Sequence, residues 1–393
     1  MTITAKGWRI GVVALAVTGA TFVAACGSNT ATTTPTPAAS KAAGTATAAA
    51  TTAAATGSKI AANIGKDDKA DLTGAGATFP APIYQAWFQD YSKVAPGVKT
   101  NYQAVGSGGG IQQYTEKTVD FGATDLAMTD AEMAKATDTQ HIPMVLGSVV
   151  ITYNLDGVTA PLKFDGDTVA KIWLGKITKW NDAAITALNP GVKLPTGDIA
   201  VVSRSDSSGT TGVFTDYLSA VSPDWKTAVG VQKAVKWPVG QGGSGNAGVT
   251  NGVKQTANSI GYVELNYAIA NKLPYADMKN KAGKFVPATI ASTSAAAAGV
   301  TLPADYRVSI VNADGDTSYP IASFTYILVR KDAASCAKAK PLVNMLWWTF
   351  HDSGAMKTAT ELNYAPVPSK ALEPIEKTLQ SLKCEGKAIL PAA

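Results

Sequence analysis

Three times along this chain a strand-like apolar run ends in glycines and hydroxyl side chains, then turns into a stretch with helical spacing. Strands alternating in this way with amphipathic helices predict an α/β fold with mainly parallel sheets. In the first junction "ADLTGAGATFPAP" leads into "IYQAWFQDY", where Ile83, Trp87 and Tyr91 share a helical face and Pro82 suits a first turn. In the second, "TNYQAVGSGGG" leads into "IQQYTEKT". In the third, "RSDSSGTTG" leads into "VFTDYLSAV", with Val213, Phe214, Tyr217, Leu218 and Val221 on one face. A further segment, "VDFGATDLAMTDAEM", puts Asp125 at the end of a short strand, ahead of a Thr129/Glu132 capping box. Two continuous apolar runs, "IPMVLGSVVITYN" and "YPIASFTYILVRK", suit strands buried on both faces.

The first residues have a different character. Lys6 and Arg9 precede "IGVVALAVTGATFV" and then "VAAC", a basic, apolar and small-residue order that predicts a secretory signal over residues 1–25. The apolar run is shorter than the roughly 20 residues of a spanning helix. "VAAC" resembles the bacterial lipobox, which would make Cys26 the lipidated first residue of the mature chain. Residues 26–69 are mostly Thr, Ala, Ser, Pro and Gly. They hold too few large apolar side chains to offset ordering entropy, so a disordered tether is expected. About 40 such residues would span roughly 35 Å as a random coil.

Of 393 residues, 46% are hydrophobic and the formal charge is +5, which falls to about +3 once Lys6 and Arg9 are removed. That balance, with no basic run, excludes a nucleic-acid footprint. The folded remainder of about 325 residues exceeds what one core usually serves, so two lobes are expected. Cys336 and Cys384 remain in an exported chain, and their spacing leaves open whether they bond. His141 and His351 stand alone, without metal-ligand spacing, so no metal or cofactor is expected.

A glycine-rich turn feeding a helix presents unpaired N–H groups and the positive end of the helix dipole. One such turn is an ordinary helix cap; three with hydroxyls beside them point to a shared oxyanion at one sheet edge. Thr78, Ser107 and Ser208 supply the hydroxyls. Arg204 offers bidentate donors, with Asp206 two residues on to hold its guanidinium. Asp125 is the informative member, because a carboxylate repels an anion unless that anion carries a proton. Dibasic phosphate has one at neutral pH and sulfate none. A site built on that bond would reject the unprotonated analogue by roughly 10⁴ to 10⁵. A solvated strand-end aspartate and a surface arginine are the plain alternatives. A serine nucleophile at Ser207 or Ser208 lacks a G-x-S-x-G elbow, and "GQGGSG" at 240–245 reads as a structural loop.

The segments "TGAGATFPAPIY", "GSGGGI", "DFGATD", "LGKITKWND", "LNPGVKLP", "VVSRSDSSGTTGVFTDYL", "VKWPVG" and "GYVELNYA" resemble the periplasmic phosphate-binding proteins of Pst ABC transporters. They occur in that family's order across nearly all of residues 71–366. The resemblance implies a type 2 periplasmic-binding-protein fold, with two α/β lobes joined by a two-strand hinge and the ligand cleft between them. Lobe 1 would take residues 70–148 and 321–393, and lobe 2 residues 149–320. It also implies a phosphate site of Thr78, Phe79 (through its amide), Ser107, Asp125, Arg204, Ser208, Gly209 and Thr210, with Asp206 bracing the arginine. Gly108 stands where that family often has a second serine, and Ser207 where it usually has glycine. The implied function is a non-enzymatic receptor that captures inorganic phosphate and delivers it to permease and ATPase subunits. It would be held on the outer face of the cytoplasmic membrane, or in the periplasm, through a lipid on Cys26. A sulfate or molybdate receptor on the same fold, a phosphatase or serine hydrolase, and an adhesin with a vestigial site are the rivals.

Overall fold

The computed structural model describes residues 60–158 and 160–391. The expected signal segment, Cys26 and the tether as far as residue 59 lie outside the described residues. Residues 60–69 do not read as tether: Ile60 is buried, Ile64 packs beside it, and Asp68 accepts from Asn344 Nδ2 at 2.6 Å.

The main sheet contains β1 (Ala70–Gly76), β2 (Val98–Gln103), β3 (Phe121–Thr124), β4 (Thr139–Asn154), β5 (Ala200–Arg204), β6 (Gln241–Gly243), β7 (Ser259–Glu264) and β8 (Ala322–Arg330). A short β9 (Ala365–Pro366) pairs with β4, and the remaining order is β2-β1-β3-β8-β4-β7-β5-β6. Pairing is parallel within β2-β1-β3 and within β7-β5-β6. It is antiparallel where β8 meets β3 and β4, and where β4 meets β7. The sheet is therefore mixed, not mainly parallel. The two apolar runs expected as strands, β4 and β8, are the ones that reverse direction at the centre.

β4 explains the two lobes. Its sixteen residues are buried almost throughout, so it can be paired along both halves. Its first half pairs with β8, as far as Ser148 opposite Ala322, and its second half pairs with β7 from Val149 opposite Glu264. The chain returns beside this handover, where Val149 N–H donates to Ile321 O at 2.8 Å and Tyr319 OH donates to Val149 O at 3.0 Å. Two α/β lobes thus meet across a hinge of two strands.

Each lobe has its own aromatic packing. In the first, Tyr84 and Phe88 of α1 (Ala81–Val94) meet Tyr102 and Phe121, with Phe88 and Phe121 centroids 5.8 Å apart. In the second, Phe214 stacks on Tyr262 at 4.3 Å, with Trp173 against both. Here α2 is Ser107–Thr115 and α3 is Gly209–Val221. Truncating any of these buried rings to alanine typically costs about 3–5 kcal/mol. Cys336, at the start of the long helix Cys336–His351, is bonded to Cys384, with Cα atoms 5.1 Å apart. The question that spacing left open is answered: they pair.

Candidate anion-binding site

The three junctions converge. Thr78 and Phe79 follow β1 and lead into α1; Ser107 opens α2; Asp125 directly follows β3; Arg204 ends β5; Ser208, Gly209 and Thr210 open α3. Thr78, Ser107, Asp125, Arg204, Ser208 and Thr210 are all buried. Facing residues of the two lobes touch. Gly108 N–H donates to Ser207 O at 2.9 Å, and a Cβ on Gly209 would lie 2.3 Å from Ser107 Oγ and 2.5 Å from Asp125 Oδ2. Only a residue without a side chain lets α3 come this close to the first lobe.

α2 begins earlier than its apolar periodicity suggested. The stretch "SGGG" is the helix's first turn and Gly106, with φ of 89°, is the residue before it. Close approach explains the glycines. A Cβ on Gly110 would sit 2.3 Å from Gly76 Cα, and one on Gly108 would sit 2.0 Å from Ser207 Oγ. Gly108 and Ser207, the two departures from the family pattern, therefore face each other. The room a serine at 108 would need is taken by the serine at 207.

Arg204 is 2% exposed and fixed on several sides. Its Nε donates to Asp206 Oδ1 at 2.8 Å and its Nη2 to Asp206 Oδ2 at 2.5 Å, while Nη1 lies 3.3 Å from Thr210 Oγ1. Its backbone N–H donates to Tyr262 OH, which ties it to the stacked rings behind. Of five guanidinium N–H groups three are used, which leaves one on each terminal nitrogen. Burial works against ionising Asp206, but hydrogen bonds and charge from Arg204, with the Gly245 N–H, hold its carboxyl below the ordinary range. Asp206 thus holds the Arg204 guanidinium through two of its nitrogens.

Asp125 is 1% exposed. Neither of its carboxyl oxygens has a well-formed hydrogen-bond partner among the described residues. The Thr325 hydroxyl faces it but is shared with Tyr84 OH at 3.2 Å. Burial pushes this carboxyl up to about 8, against the pull of Thr325 and the positive charge of Arg204. A buried carboxylate without a partner is costly and calls for a donor. Ser107 Oγ accepts from Asp125 N–H at 3.4 Å, and Ser208 Oγ accepts from Thr211 N–H at 3.0 Å as the helix cap. Each hydroxyl keeps its own proton to give. The leading N–H groups of α3 have no acceptor inside the helix.

Two carbonyls hold the first lobe's turn in place: Tyr267 OH donates to Thr78 O at 2.6 Å, and Tyr364 OH to Phe79 O at 2.7 Å. The Phe79 ring itself is core. At the cleft mouth Lys233 Nζ lies 2.6 Å from Glu132 Oε2, a pair that joins the second lobe to the expected capping box of Thr129 and Glu132. His141 Nε2 accepts from Met128 N–H and its ring is held neutral, pushed down to about 4 chiefly by burial. His351 contacts Trp347 O and Glu376. Neither histidine is placed to activate Ser207 or Ser208.

Sequence reasoning missed α4 (Gly245–Gln255). "GQGGSG" is not only a structural loop, because it delivers Gly245 N–H to Asp206 Oδ1 at 3.0 Å. It also delivers Asn246, whose amide lies between Thr78 and Thr210. Glu264, at the end of β7, was missed too. It is fully buried, and burial holds its carboxyl well above the ordinary range although Asn266 N–H donates to its Oε2; Tyr364 OH, whose proton goes to Phe79 O, lies 3.1 Å from the same oxygen.

The profile of the PBP superfamily domain matches residues 35–343. The chain is 45% identical over 308 residues to the phosphate-binding protein PstS of Pasteurella multocida (strain Pm70), covering 78% of this chain and 88% of that one. Against PstS of Haemophilus influenzae the identity is 44% over 308 residues, covering 78% and 91%. A solved structure of a high-affinity periplasmic phosphate-binding protein bound with phosphate at pH 8.5 shares the fold at a TM-score of 0.65. It is 22% identical and covers 78% of this chain and 93% of that one. Mixed sheet, two-strand hinge and structural likeness agree on a type 2 periplasmic-binding-protein fold. This chain belongs to the PBP superfamily and, within it, to the PstS phosphate-binding protein family.

Proposed function

We propose that this chain is an extracytoplasmic receptor that binds inorganic phosphate as HPO₄²⁻ and delivers it to the permease of an ABC importer, without chemistry of its own. The observation that carries the reading is Asp125: a buried carboxyl without a well-formed partner, set among groups that otherwise donate. Thr78 and Ser107 hydroxyls and the Phe79 amide would bind from the first lobe. The two remaining N–H groups of Arg204, the Ser208 hydroxyl, and Gly209 and Thr210 at the start of α3 would bind from the second. Asp125 would take the one proton of the dianion, and Asp206 would brace Arg204. Specificity then rests on complete hydrogen bonding in a dry site, not on net charge.

The lobes divide, in this proposal, as 70–148 with 321–393 and as 149–320. Residues 1–25 act as a secretory signal, and Cys26 carries a lipid that holds the receptor outside the cytoplasmic membrane through the Thr/Ala/Pro segment. Among the described residues no helix is long and apolar enough to cross a membrane. Calorimetry with phosphate, arsenate and sulfate at pH 7 tests the assignment. Phosphate and arsenate should bind, and phosphate should exceed sulfate by at least roughly 10³, the cost of protonating Asp125 at pH 7. Equal affinity for sulfate would refute the role of Asp125. Turnover of an aryl phosphate lost with Ser208→Ala would point to a hydrolase instead.

A further inference from the structure

Asn246 holds a position between the two lobes that no ligand assignment uses. It is fully buried at the second residue of α4. Its Oδ1 accepts the Glu264 N–H at 2.9 Å. That N–H can only donate, so the orientation of the amide is fixed: a flipped amide would set N–H against N–H. Nδ2 therefore faces the cleft, with Thr78 Oγ1 at 2.9 Å and Thr210 Oγ1 at 3.0 Å.

Counting lone pairs shows what this does. Thr78 Oγ1 also receives Asn246 N–H at 3.2 Å, and Thr210 Oγ1 also receives Arg204 Nη1 at 3.3 Å. Each hydroxyl thus accepts two hydrogen bonds and has no lone pair left. Only its proton remains to be given. We propose that Asn246 is a positioning residue that turns the Thr78 and Thr210 hydroxyls into obligatory donors. Both ligand oxygens they meet must then be unprotonated, and the single proton is directed to Asp125. Because Thr78 comes from the first lobe while Asn246, Thr210 and Arg204 come from the second, the arrangement is complete only when the lobes are closed. The inference rests on the phosphate reading above.

The test is a mutant cycle read by calorimetry with inorganic phosphate on the full chain. Asn246→Ala frees one lone pair on each hydroxyl and should raise Kd by about tenfold to a hundredfold. In a background carrying Thr78→Val and Thr210→Val there is no hydroxyl to orient, so Asn246→Ala should add less than threefold. A residue that merely supports the fold would cost the same in both backgrounds. Asn246→Asp should weaken binding further than Asn246→Ala, because the new carboxylate accepts the hydroxyl protons and repels the anion. Thermal midpoints of the ligand-free variants should stay near that of the unaltered chain. Equal losses in the two backgrounds, or Asn246→Ala within twofold of the unaltered chain, overturn the inference and leave the receptor assignment standing. Failure of the unaltered chain to bind phosphate overturns both.

Discussion

Replacing Asp125 by asparagine should change how the anion site responds to pH, and the size of the effect follows from where that carboxyl sits. Sulfate arrives without a proton, so closing the lobes on it requires Asp125 to take one from water. From its ordinary value of 3.8, protonation at pH 7 spans about three units, or roughly 4 kcal/mol at 1.36 kcal/mol per unit. That corresponds to about a 10³-fold handicap for sulfate at pH 7, shrinking about tenfold per unit as pH falls towards 4. Phosphate brings its own proton and escapes the handicap. In Asp125→Asn the group does not titrate, and its Nδ2 can donate to a bare oxygen. Sulfate affinity should then be flat between pH 4.5 and 8, while phosphate loses a charge-assisted bond and weakens by roughly 10- to 100-fold. Folding gives an independent measurement. Asp125 is pushed up to about 8 in the closed molecule, so its contribution to stability is complete below 3.8 and lost as pH rises through about 8. Asparagine should thus favour closing of the ligand-free lobes at pH 8, by on the order of 5 kcal/mol at most, and hardly at pH 4, while an open ligand-free chain, with Asp125 at its ordinary value, should melt alike with either residue. Calorimetry across pH with both anions, and thermal melts without them, read these effects. A phosphate-to-sulfate ratio that is independent of pH in the unaltered chain, or unchanged in Asp125→Asn, would refute the reasoning.

Gly108→Ser should weaken phosphate binding by tenfold or more, because its Cβ would stand 2.4 Å from Ser207 Cβ; adding Ser207→Gly should restore most of it, as a calorimetric comparison of the single and double variants would show. Lys233→Gln removes a cross-cleft ion pair whose side chains are 10% and 25% exposed. It should speed phosphate release several-fold in stopped-flow measurements, and because the pair is mostly buried the difference should persist as salt rises. Reducing Cys336–Cys384, or replacing both by serine, releases a 48-residue separation worth at most about 4 kcal/mol of chain entropy. The denaturation midpoint should fall while the phosphate Kd stays within twofold, since the bond joins a helix start to the C-terminal strand and touches no site residue.

What the sequence disclosed and what it withheld divide along a physical line. Thr78, Ser107, Asp125, Arg204 and Ser208 each sit where a strand ends or a helix begins, and such ends leave a local signature of glycine, hydroxyl and charge. Their convergence could be anticipated because strand ends in an open sheet share an edge. Asn246 has no such signature. Its partners lie 168 and 36 residues away, and an asparagine after glycine reads as an ordinary turn. The direction of β4 and β8 was equally silent, because a continuously apolar strand looks the same whichever way its neighbour runs. The glycines of α2 misled for a related reason: local propensity reads them as a turn, whereas the approach of Gly76 and Ser207 makes glycine the residue that fits inside a helix. Local chemistry therefore picked out the groups that the fold brings together at one cleft, while the groups that orient them depend on contacts made only after folding. The same division separates affinity from selectivity. Donors at helix starts attract any oxyanion, but deciding which oxygen must carry a proton requires Asp125 to be dry and the threonine hydroxyls to be turned. Both conditions belong to the closed pair of lobes, so selectivity should be a property of closure, and any change that holds the lobes apart should blur the choice of anion more than it weakens capture.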